Sequence, residues 1–353
     1  MQPDSCMSPK SMWSAAPAVL RQVPRAMNRM AALTASALLG VALTSAPAHA
    51  QAWKPNRTVE LVVLAAPGGG NDKAARALQK IWADNKIVDA VVTNRVGGGG
   101  TLAYTYVSQK TGDGHYIAIA QAGILTNQLA GRTNLTYNDL TVLPYIGTEP
   151  VSLSVRTESP IKTLKDFADR LRKDPASLTI SPGSTLASTN HFVVALLARA
   201  VGADPRKLRM VTFGGGAEAA TNVLGGHIDA MVNASNNAVP HMQSGKMRIL
   251  GISSPKRTAS MPDVPTFREM GFDVIQDSWY VFLGPRAMTQ PQIDFWDDVF
   301  ARTMKTPEWK KFVADNGWEY GFMPSRETAA FLKKEHEEAR SIMSDLGALK
   351  AGQ

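Results

Sequence analysis

The sequence predicts an α/β protein built from two lobes. Short apolar runs with β-branched residues alternate with stretches of helical periodicity from residue 59 onward, and this alternation favours parallel sheets covered by helices. Glycine-rich turns follow strand ends at 65–72, 95–101, 181–185 and 213–217. A mature chain of 303 residues remains once a leader of 50 is removed from the 353, which is enough for two hydrophobic cores.

The first 50 residues are predicted to be a secretory signal peptide and not part of the fold. Basic residues precede an apolar run at 30–44, and an A-x-A triplet at 48–50 matches a cleavage pattern. Cleavage is therefore expected after Ala50. The segment before the apolar run is unusually long, which makes Met27 or Met30 alternative start positions.

The first unit of the mature chain, at 59–82, organises the predicted fold. Its apolar run at 59–64 is typical of a strand buried on both faces, and the glycines at 68–70 let the backbone turn sharply. Asn71 and Asp72 are predicted N-cap residues of the helix that follows. One face of that helix is apolar, with Ala74, Leu78 and Ile81. Exposed N–H groups and the helix dipole make this turn a small anion site.

Further strand, turn and helix units follow. Strands are predicted at 87–94, 115–120, 178–181, 208–213, 228–232, 248–253 and 278–283, and two β runs within 142–155 flank a turn at 147–150. Helices are predicted at 101–110, 163–173, 189–201, 217–224 and 325–346, with another beginning after Thr306. The segment from Gln121 is predicted to be a loop, and the strand at 278–283 is expected to return to the first lobe.

Composition limits the classes of site. The only cysteine, Cys6, lies in the leader, so the mature chain has no disulfide and no cysteine-based metal site. The leader carries four basic residues and one acid, and its removal lowers the net charge from +8 to +5. This mild excess suits an anionic ligand, although it more often serves solubility, and no dense Lys/Arg run indicates nucleic-acid binding.

Several glycine turns at strand ends indicate a ligand cleft. Ligands of open α/β sheets bind beyond the carboxyl ends of the strands, and two such lobes would face each other as a clamshell that closes about a hinge. A single turn is better explained by tight packing. Asp72 could contact a ligand or pair with Arg76 at i+4, whereas His191, Trp279 and Tyr280 are more typical of capping or packing.

No enzyme or cofactor motif predicts catalysis. The run at 98–103 matches the G-x-G-x-x-A dinucleotide pattern, but Gln121 stands where an acid would hold a ribose. Arg340 ends the only candidate for H-E-x-x-H, and neither G-x-x-x-x-G-K-[ST] nor G-x-S-x-G occurs. A Ser/His/Asp triad assembled from distant residues stays open. We therefore predict no catalytic residue, no metal and no cofactor.

An ordered set of short motifs resembles one known family across essentially the whole mature chain. The motifs are WKPNR at 53–57, APGGGNDKAAR at 66–76, NR at 94–95, GDGHY at 112–116, LGGHIDAMVN at 224–233, SGKMRILGISSPKR at 244–257, MPDVPTFREMG at 261–271 and SWYVFLGP at 278–285. Together they resemble the solute receptors of tripartite tricarboxylate transporters, the Bug-type periplasmic binding proteins.

The resemblance implies a periplasmic binding protein-like (type II) fold of two doubly wound α/β lobes. We predict lobe 1 from 51–150 with 276–353, and lobe 2 from 151–275. The implied protein is a periplasmic receptor, by default a monomer, whose partners are a small organic acid and the permease subunits of the transporter. The implied ligand-binding residues are Pro67, Gly69, Gly70, Asp72, Gln121, Gly123, Ser181, Gly183, Ser184, Thr185, Phe213 and Gly215.

Two departures from the family pattern bear on the ligand. Val96 follows Arg95 where the family usually has Pro, and Thr212-Phe213 precedes Gly214 where many members have a Tyr-Lys pair. The missing lysine removes a positive charge near the cleft. This disfavours tri-anions such as citrate and favours a mono-, di- or aromatic carboxylate. Two alternative functions stay open: an exported sensor for an organic acid and, less favoured, an exported hydrolase or isomerase acting on a carboxylate.

Overall fold

The computed structural model of the chain describes residues 53–183 and 185–350. The predicted signal peptide, its cleavage site after Ala50 and the predicted ligand residue Ser184 lie outside the described residues. The described elements form two sheets with helices on their faces.

Six strands form the larger sheet. With labels in chain order they are β1 (Val59–Val63), β2 (Ala90–Asn94), β3 (Tyr116–Ala120), β4 (Thr141–Glu149), β10 (Ser278–Gly284) and β11 (Glu319–Met323). Their spatial order is β11-β4-β10-β3-β1-β2. The helices packed on this sheet are α1 (Gly70–Asp84), α2 (Thr101–Ser108), α3 (Gly123–Leu129), α8 (Gln290–Lys305), α9 (Pro307–Asp315) and α10 (Ser325–Asp345). We refer to this sheet and these helices as the larger lobe.

Five strands form the smaller sheet. They are β5 (Val151–Arg156), β6 (Thr179–Ser181), β7 (Arg209–Met210), β8 (Ala230–Ala234) and β9 (Met247–Ile252), in the spatial order β7-β6-β8-β5-β9. The helices packed on this sheet are α4 (Leu164–Lys173), α5 (Thr189–Ala200), α6 (Gly216–Leu224) and α7 (Val239–Gln243). These elements make up the smaller lobe.

Helices cover both faces of each sheet because successive side chains of a strand point to opposite faces. In the larger lobe, Leu61 packs in a core with α1, α8 and α9, whereas its neighbour Val62 packs with α2 and α3. In the smaller lobe, Val232 faces α4 and α5, and Met231 faces α6 and α7. The doubly wound arrangement predicted for both lobes is confirmed. Helix α1 buries the three residues that its periodicity predicted, Ala74, Leu78 and Ile81.

The sheets are mixed, and the expectation of parallel sheets is only partly correct. Strand β1 runs parallel to β2 and β3, but β10 runs antiparallel to β3 and β4. In the smaller sheet, β5 runs antiparallel to β8 and β9. The exceptions are β5 and β10, which enter from the other lobe, and the edge strand β11, which runs antiparallel to β4. Strands β5 and β10 do not arrive through a helical crossover, which is the connection that parallel neighbours require.

The chain crosses between the sheets at two places. Only Pro150 separates the end of β4 at Glu149 from the start of β5 at Val151, and the chain returns between β9 and β10. The predicted turn at 147–150 is therefore wrong, since residues 147–149 belong to β4 and pair with β10. A side chain at Gly147 would meet the Glu319 carbonyl oxygen at 2.8 Å, so this glycine lets β11 approach. The lobe boundaries at 150/151 and 275/276 stay a prediction.

Some elements were missed at the level of sequence. Helix α3 begins at Gly123, where a loop was predicted, and α7, α8 and β11 were not anticipated. The strand predicted at 208–213 is reduced to the two residues of β7, because Phe213 instead joins the neighbouring turn through a hydrogen bond from its N–H to the Gly183 carbonyl oxygen, at 2.9 Å. Among the described residues, no helix has the length and apolar character needed to cross a membrane.

One buried hydrogen bond anchors α1, the helix that carries the predicted anion site. The indole Nε1 of Trp82 donates to the Thr303 hydroxyl of α8 at 2.8 Å, and both side chains are fully buried. Thr303→Val should leave the indole N–H unpaired and lower the free energy of unfolding by about 1–3 kcal/mol. Urea unfolding without ligand measures this change. Thr303→Ser, which keeps the hydroxyl, is the control. Equal losses in both variants would contradict an anchoring role for the bond.

Candidate functional site

The N-terminus of α1 opens toward the end of β1. Gly69 occupies the N-cap position, and the first intrahelical bond runs from the Lys73 N–H to the Gly69 carbonyl oxygen at 2.9 Å. The N–H groups of residues 70–72 therefore have no acceptor within the helix. The predicted N-cap assignment of Asn71 and Asp72 is wrong, because the helix begins at Gly70 and both residues lie inside its first turn.

Asp72 ties this loop to its surroundings. Its buried carboxylate accepts hydrogen bonds from the Gly68 N–H at 2.8 Å, Arg76 Nε at 2.9 Å and Asn94 Nδ2 at 2.9 Å. Burial acts to raise the pKa of Asp72, but these bonds outweigh it and hold the pKa below its usual range. The predicted pairing with Arg76 is confirmed, and the predicted ligand contact stays a prediction.

The smaller lobe repeats this device at α6. Gly215 is the N-cap residue, and Glu218, at the third helical position, accepts a hydrogen bond from the Gly214 N–H at 2.7 Å. The sequence carries the same pattern at both helix starts, namely three glycines, one further residue and an acid, at 68–72 and at 214–218. This repeat could have identified Glu218, which was not among the predicted residues. Both helix starts are held by an internal carboxylate that reaches back over the turn.

Amide side chains from β8 and from the start of α5 lie next to the predicted glycine turn of the smaller lobe. The Ser181 hydroxyl, fully buried, accepts a hydrogen bond from the Gly183 N–H at 3.1 Å. A Cβ atom at Gly183 would lie 2.7 Å from Asn233 Nδ2 and 3.9 Å from Asn190 Nδ2. Thr185, also predicted to contact ligand, lies two residues beyond Gly183 and is half-buried.

Gln121 and Gly123, both predicted to contact the ligand, lie where elements of the larger lobe approach one another. Gln121, just after β3, accepts a hydrogen bond from Asn71 Nδ2 at 2.9 Å and so links β3 to the start of α1. A Cβ atom at Gly123 would lie 2.3 Å from the Gly99 carbonyl oxygen. Glycine is thus needed at 123 for close approach of the backbone. Pro67 is exposed in the loop before α1.

The two lobes meet at a buried carboxyl group that sequence reasoning missed. Glu149, the last residue of β4, is fully buried and accepts hydrogen bonds from the Tyr280 hydroxyl at 2.8 Å and the Asn236 N–H at 3.2 Å. A Cβ atom at Gly70 would lie 3.2 Å from Tyr280 Oη, 3.4 Å from Asn236 Nδ2 and 3.7 Å from Glu149 Oε2. The start of α1 therefore faces Asn236 of the smaller lobe across this group. We refer to Gly70, Glu149, Asn236 and Tyr280 as the junction.

Burial raises the pKa of Glu149 to about 7. The Tyr280 hydroxyl, the Asn236 N–H and the positive charge of Lys73 act in the opposite direction without cancelling the effect. Burial and the neighbouring Glu149 likewise raise the pKa of Tyr280, which stays protonated as a hydrogen-bond donor. Trp318 stacks on the Tyr280 ring with centroids 3.9 Å apart.

The lobes also touch beyond the junction. Arg132 Nη1 of the larger lobe donates to the Leu186 carbonyl oxygen of the smaller lobe at 3.4 Å. Phe192 of α5 packs in one apolar cluster with Ala339 and Met343 of α10. The cavity enclosed nearby has a volume of about 10 Å³, roughly the minimum for one water. Its lining comes from both lobes: Ala122, Leu125, Thr189, Phe192, Gln276, Trp279, Glu335, Glu338 and Ala339.

His191, Trp279 and Tyr280 have the packing contacts expected from the sequence. His191 Nδ1 accepts the Ala187 N–H at 3.0 Å, and burial lowers the pKa of His191 to about 4, so the ring is neutral. Trp279 is buried and donates from Nε1 to a Glu335 carboxylate oxygen at 2.8 Å. Tyr280, by contrast, belongs both to the core and to the junction.

A more open groove of about 490 Å³ lies elsewhere on the larger lobe, lined by Lys54, Pro55, Asn56, Arg57, Thr58, Ile87, Val88, Asp89 and Phe295. It adjoins the amino ends of β1 and β2, opposite to the strand ends where open α/β sheets bind ligands. We therefore place the candidate site at the junction and its flanking loops. Within 53–183 and 185–350, no group of three or more His, Cys, Asp or Glu side chains is arranged to share a metal ion.

Comparison with known proteins decides the family. The model of the tripartite tricarboxylate transporter family receptor, TctC, matches residues 73–348. The chain belongs to this family. The resemblance drawn from the short motifs is thereby confirmed.

Relatives of this receptor match most of its length. A UPF0065 protein of Cupriavidus necator is 30% identical over 90% of this chain and 96% of its own. BugT of Bordetella pertussis is 25% identical over 70% of this chain and 76% of its own. A solved structure of MatC from Rhodopseudomonas palustris with bound malate superposes with a TM-score of 0.71 and a sequence identity of 26%. The match covers 82% of this chain and 99% of MatC. The predicted type II two-lobe fold is confirmed.

The Asp72 contacts of the receptor generate a prediction about its loop. Asp72→Ala should free the Gly68 N–H and the Asn94 amide, lower the free energy of unfolding by about 1–3 kcal/mol and weaken ligand binding while the protein stays folded. Because the folded pKa is depressed, the contribution of Asp72 in the wild type is present above pH 4 and is lost as the pH falls through the folded pKa. Urea unfolding and calorimetric titration measure the two effects. Unchanged affinity would make Asp72 purely structural.

Glu149 should make the receptor less stable as the pH rises. Its folded pKa is about 7 and its usual pKa is 4.5, so its contribution is present below pH 4.5 and is lost as the pH rises through 7. Relative to Glu149→Gln, the wild type should lose roughly 1–3 kcal/mol between pH 5 and pH 8. Asp277, whose pKa burial also raises to about 7, is present in both proteins and cancels in the comparison. Parallel pH profiles of unfolding would contradict this assignment.

Proposed function

We propose that this receptor works in the periplasm as a monomer, captures a small organic carboxylate between its lobes and delivers it to the membrane permease of its transporter. The observation that carries the proposal is the junction, where the amide-lined start of α1 faces Asn236 of the opposite lobe. Family membership supports the transport role.

The ligand carboxylate is assigned to the start of α1. The N–H groups of residues 70–72 lack intrahelical acceptors, and the helix dipole favours negative charge there. Charge-assisted hydrogen bonds from such N–H groups are stronger than neutral ones. The predicted ligand residues Pro67, Gly69 and Gly70 belong to this loop, with Gln121 beside it.

The wall opposite is assigned to the smaller lobe. Its predicted ligand residues are Ser181, Gly183, Ser184, Thr185, Phe213 and Gly215, and a hydrogen bond from the Phe213 N–H to the Gly183 carbonyl oxygen holds two of these loops together. The space beside the Gly215 Cα is open to 4 Å, so a ligand can approach this backbone.

We infer a mono-, di- or aromatic carboxylate and not a tri-anion. MatC binds malate, a dicarboxylate. The family lysine before Gly214 is replaced here by Phe213, and Glu149 adds a carboxyl group close to Gly70. A third negative charge would therefore meet repulsion near Glu149 without the lysine that many family members have before Gly214. The receptor is proposed to bind its ligand without converting it.

Delivery is explained by differential binding. A ligand that contacts both lobes favours the form in which they touch, and the closed form presents a surface that the permease can distinguish from the open one. The contacts of Arg132 with Leu186 and of Phe192 with α10 belong to such a closed arrangement.

A thermal-shift screen of residues 51–353 in low phosphate tests the ligand class. One group of mono-, di- or aromatic acids should raise the melting temperature, since a ligand at 100 times its Kd adds about 2.7 kcal/mol. Chromatography of the recovered ligand should show no conversion, and pull-down should recover permease subunits. Tighter binding of citrate than of any dicarboxylate, turnover of the ligand, or capture of a signalling protein in place of the permease would each contradict the proposal.

Gly70 should be required for closure on the ligand. The branched side chain of Gly70→Val would enter the space next to Tyr280 Oη and Asn236 Nδ2 and hold the lobes apart, which should weaken binding of the best acid at least about tenfold. Calorimetric titration measures the affinity. Ala83→Val, at an exposed position of the same helix, is the matched control. Equal affinities of the two variants would contradict a ligand site at the junction.

A further inference from the structure

Buried polar atoms without partners concentrate on the face between the lobes. Among the described residues, seven buried side-chain nitrogen or oxygen atoms have no hydrogen-bond partner. Five of them belong to residues in the first turns of helices or at the end of β8, next to the proposed cleft: Asn71, Asn190, Asn233, Ser235 and Asn236. Such atoms are rare in folded proteins because each costs free energy, so a cluster of them marks a place where bound water or a ligand supplies the missing hydrogen bonds.

Two of these residues flank Gly183 and have amide orientations that the backbone fixes. Asn233 Oδ1 accepts a hydrogen bond from the Ala234 N–H at 3.0 Å, which leaves Nδ2 as the unpartnered atom. Asn190 Nδ2 donates to the Pro182 carbonyl oxygen at 2.9 Å, which leaves Oδ1 unpartnered. The side chain of Asn233 is only 5% exposed. The pair therefore offers one donor and one acceptor, and neither can be exchanged by rotating an amide.

We propose that Asn190 and Asn233 bind the end of the ligand remote from its carboxylate, and that this end is a carboxamide. This inference rests on the proposed function, because it takes the ligand carboxylate to lie at the start of α1. A carboxamide presents an N–H to Asn190 Oδ1 and a carbonyl oxygen to Asn233 Nδ2, so both unpartnered atoms are satisfied. The ligand class is thus the mono-amide of a small dicarboxylic acid.

A second carboxylate fits this pair poorly. An ionised carboxylate only accepts hydrogen bonds, so it satisfies Asn233 Nδ2 but sets its other oxygen against Asn190 Oδ1, which also only accepts. A site that hydrogen-bonds one polar group rejects an analogue that leaves a buried partner unpaired. The pair therefore discriminates between an amide and an acid of nearly the same shape.

The described groups in contact with the two amides are uncharged. They are Gly183, Gly216, Pro182, Ala234 and Asn237, whose Nδ2 donates to Asn233 Oδ1 at 3.3 Å. The cation that reaches the same loop is Arg132, which is exposed and donates to the Leu186 carbonyl oxygen. Arg132 is the residue that would bind a second carboxylate, so it defines the competing arrangement.

Matched acid and mono-amide pairs test the inference by calorimetric titration of the mature receptor. The probes are succinate with succinamate, glutarate with glutaramate, and adipate with adipamate, because the length of the ligand is open. We expect the mono-amide of the fitting length to bind roughly tenfold or more tightly than its diacid. A diacid that binds as tightly as its mono-amide overturns the inference and leaves the proposed function intact. Absence of binding by every acid in this series and in the wider carboxylate panel overturns both.

Asn233→Asp is the decisive variant. It keeps the oxygen that accepts from Ala234 and replaces the free donor by an acceptor, so mono-amide affinity should fall about tenfold or more. Asn190→Ala removes the free acceptor and should reduce the difference in affinity between the mono-amide and the diacid. Asn134→Asp makes the same change as the first variant at an exposed position and should leave both affinities unchanged, with circular dichroism confirming that each variant is folded.

Two results overturn the assignment. If both Asn233→Asp and Asn190→Ala kept the full preference for the mono-amide, these two side chains would not bind the end of the ligand remote from its carboxylate. A preference for the diacid that Arg132→Gln abolishes would assign the remote end to that arginine and make the second group a carboxylate.

Discussion

The buried carboxyl group of Glu149 is the contact on which the arrangement of the two lobes depends. It lies at the last residue of β4, one residue before the chain enters the smaller sheet, and it holds Tyr280 of the returning strand and the Asn236 N–H of the smaller lobe. Both passages of the chain between lobes are thus connected through one side chain. Because the group is fully buried, its hydrogen bond from the Asn236 N–H forms only when elements of both lobes come together.

The walls on either side of Glu149 are prepared before any ligand arrives. Asp72 and Glu218 each take the N–H of a glycine that precedes a helix, so the two loops are ordered by internal carboxylates. The next N–H groups of α1 stay without intrahelical acceptors. Such pre-ordering reduces the entropy that binding must otherwise spend on the loops. The ligand then supplies the contacts that favour the closed form.

The elements predicted correctly from the sequence are those whose formation depends on residues close together in the chain. Helix α1 follows from its apolar period, and its buried residues are the predicted ones. Gly147 and Pro150 led to the prediction of a turn at 147–150. Residues 147–149 instead continue β4, because β10 and β11 pair with this strand. The predicted N-cap of α1 is wrong because Asp72, a typical N-cap residue, instead accepts the Gly68 N–H from a position inside the helix. Glu149 and Asn233 acquire their roles through contacts with Tyr280 and Gly183, which are distant in the chain, and no local pattern encodes such contacts.

Hydrogen–deuterium exchange of the mature receptor, with and without its best carboxylate, shows whether one ligand lies between the lobes at the junction. A ligand in this place should slow exchange in both lobes, at residues 68–73 around the start of α1 and at 181–183 and 233–237 in the smaller lobe. Protection confined to one lobe, or centred on the open groove at 54–58 and 87–89, would contradict this placement of the ligand.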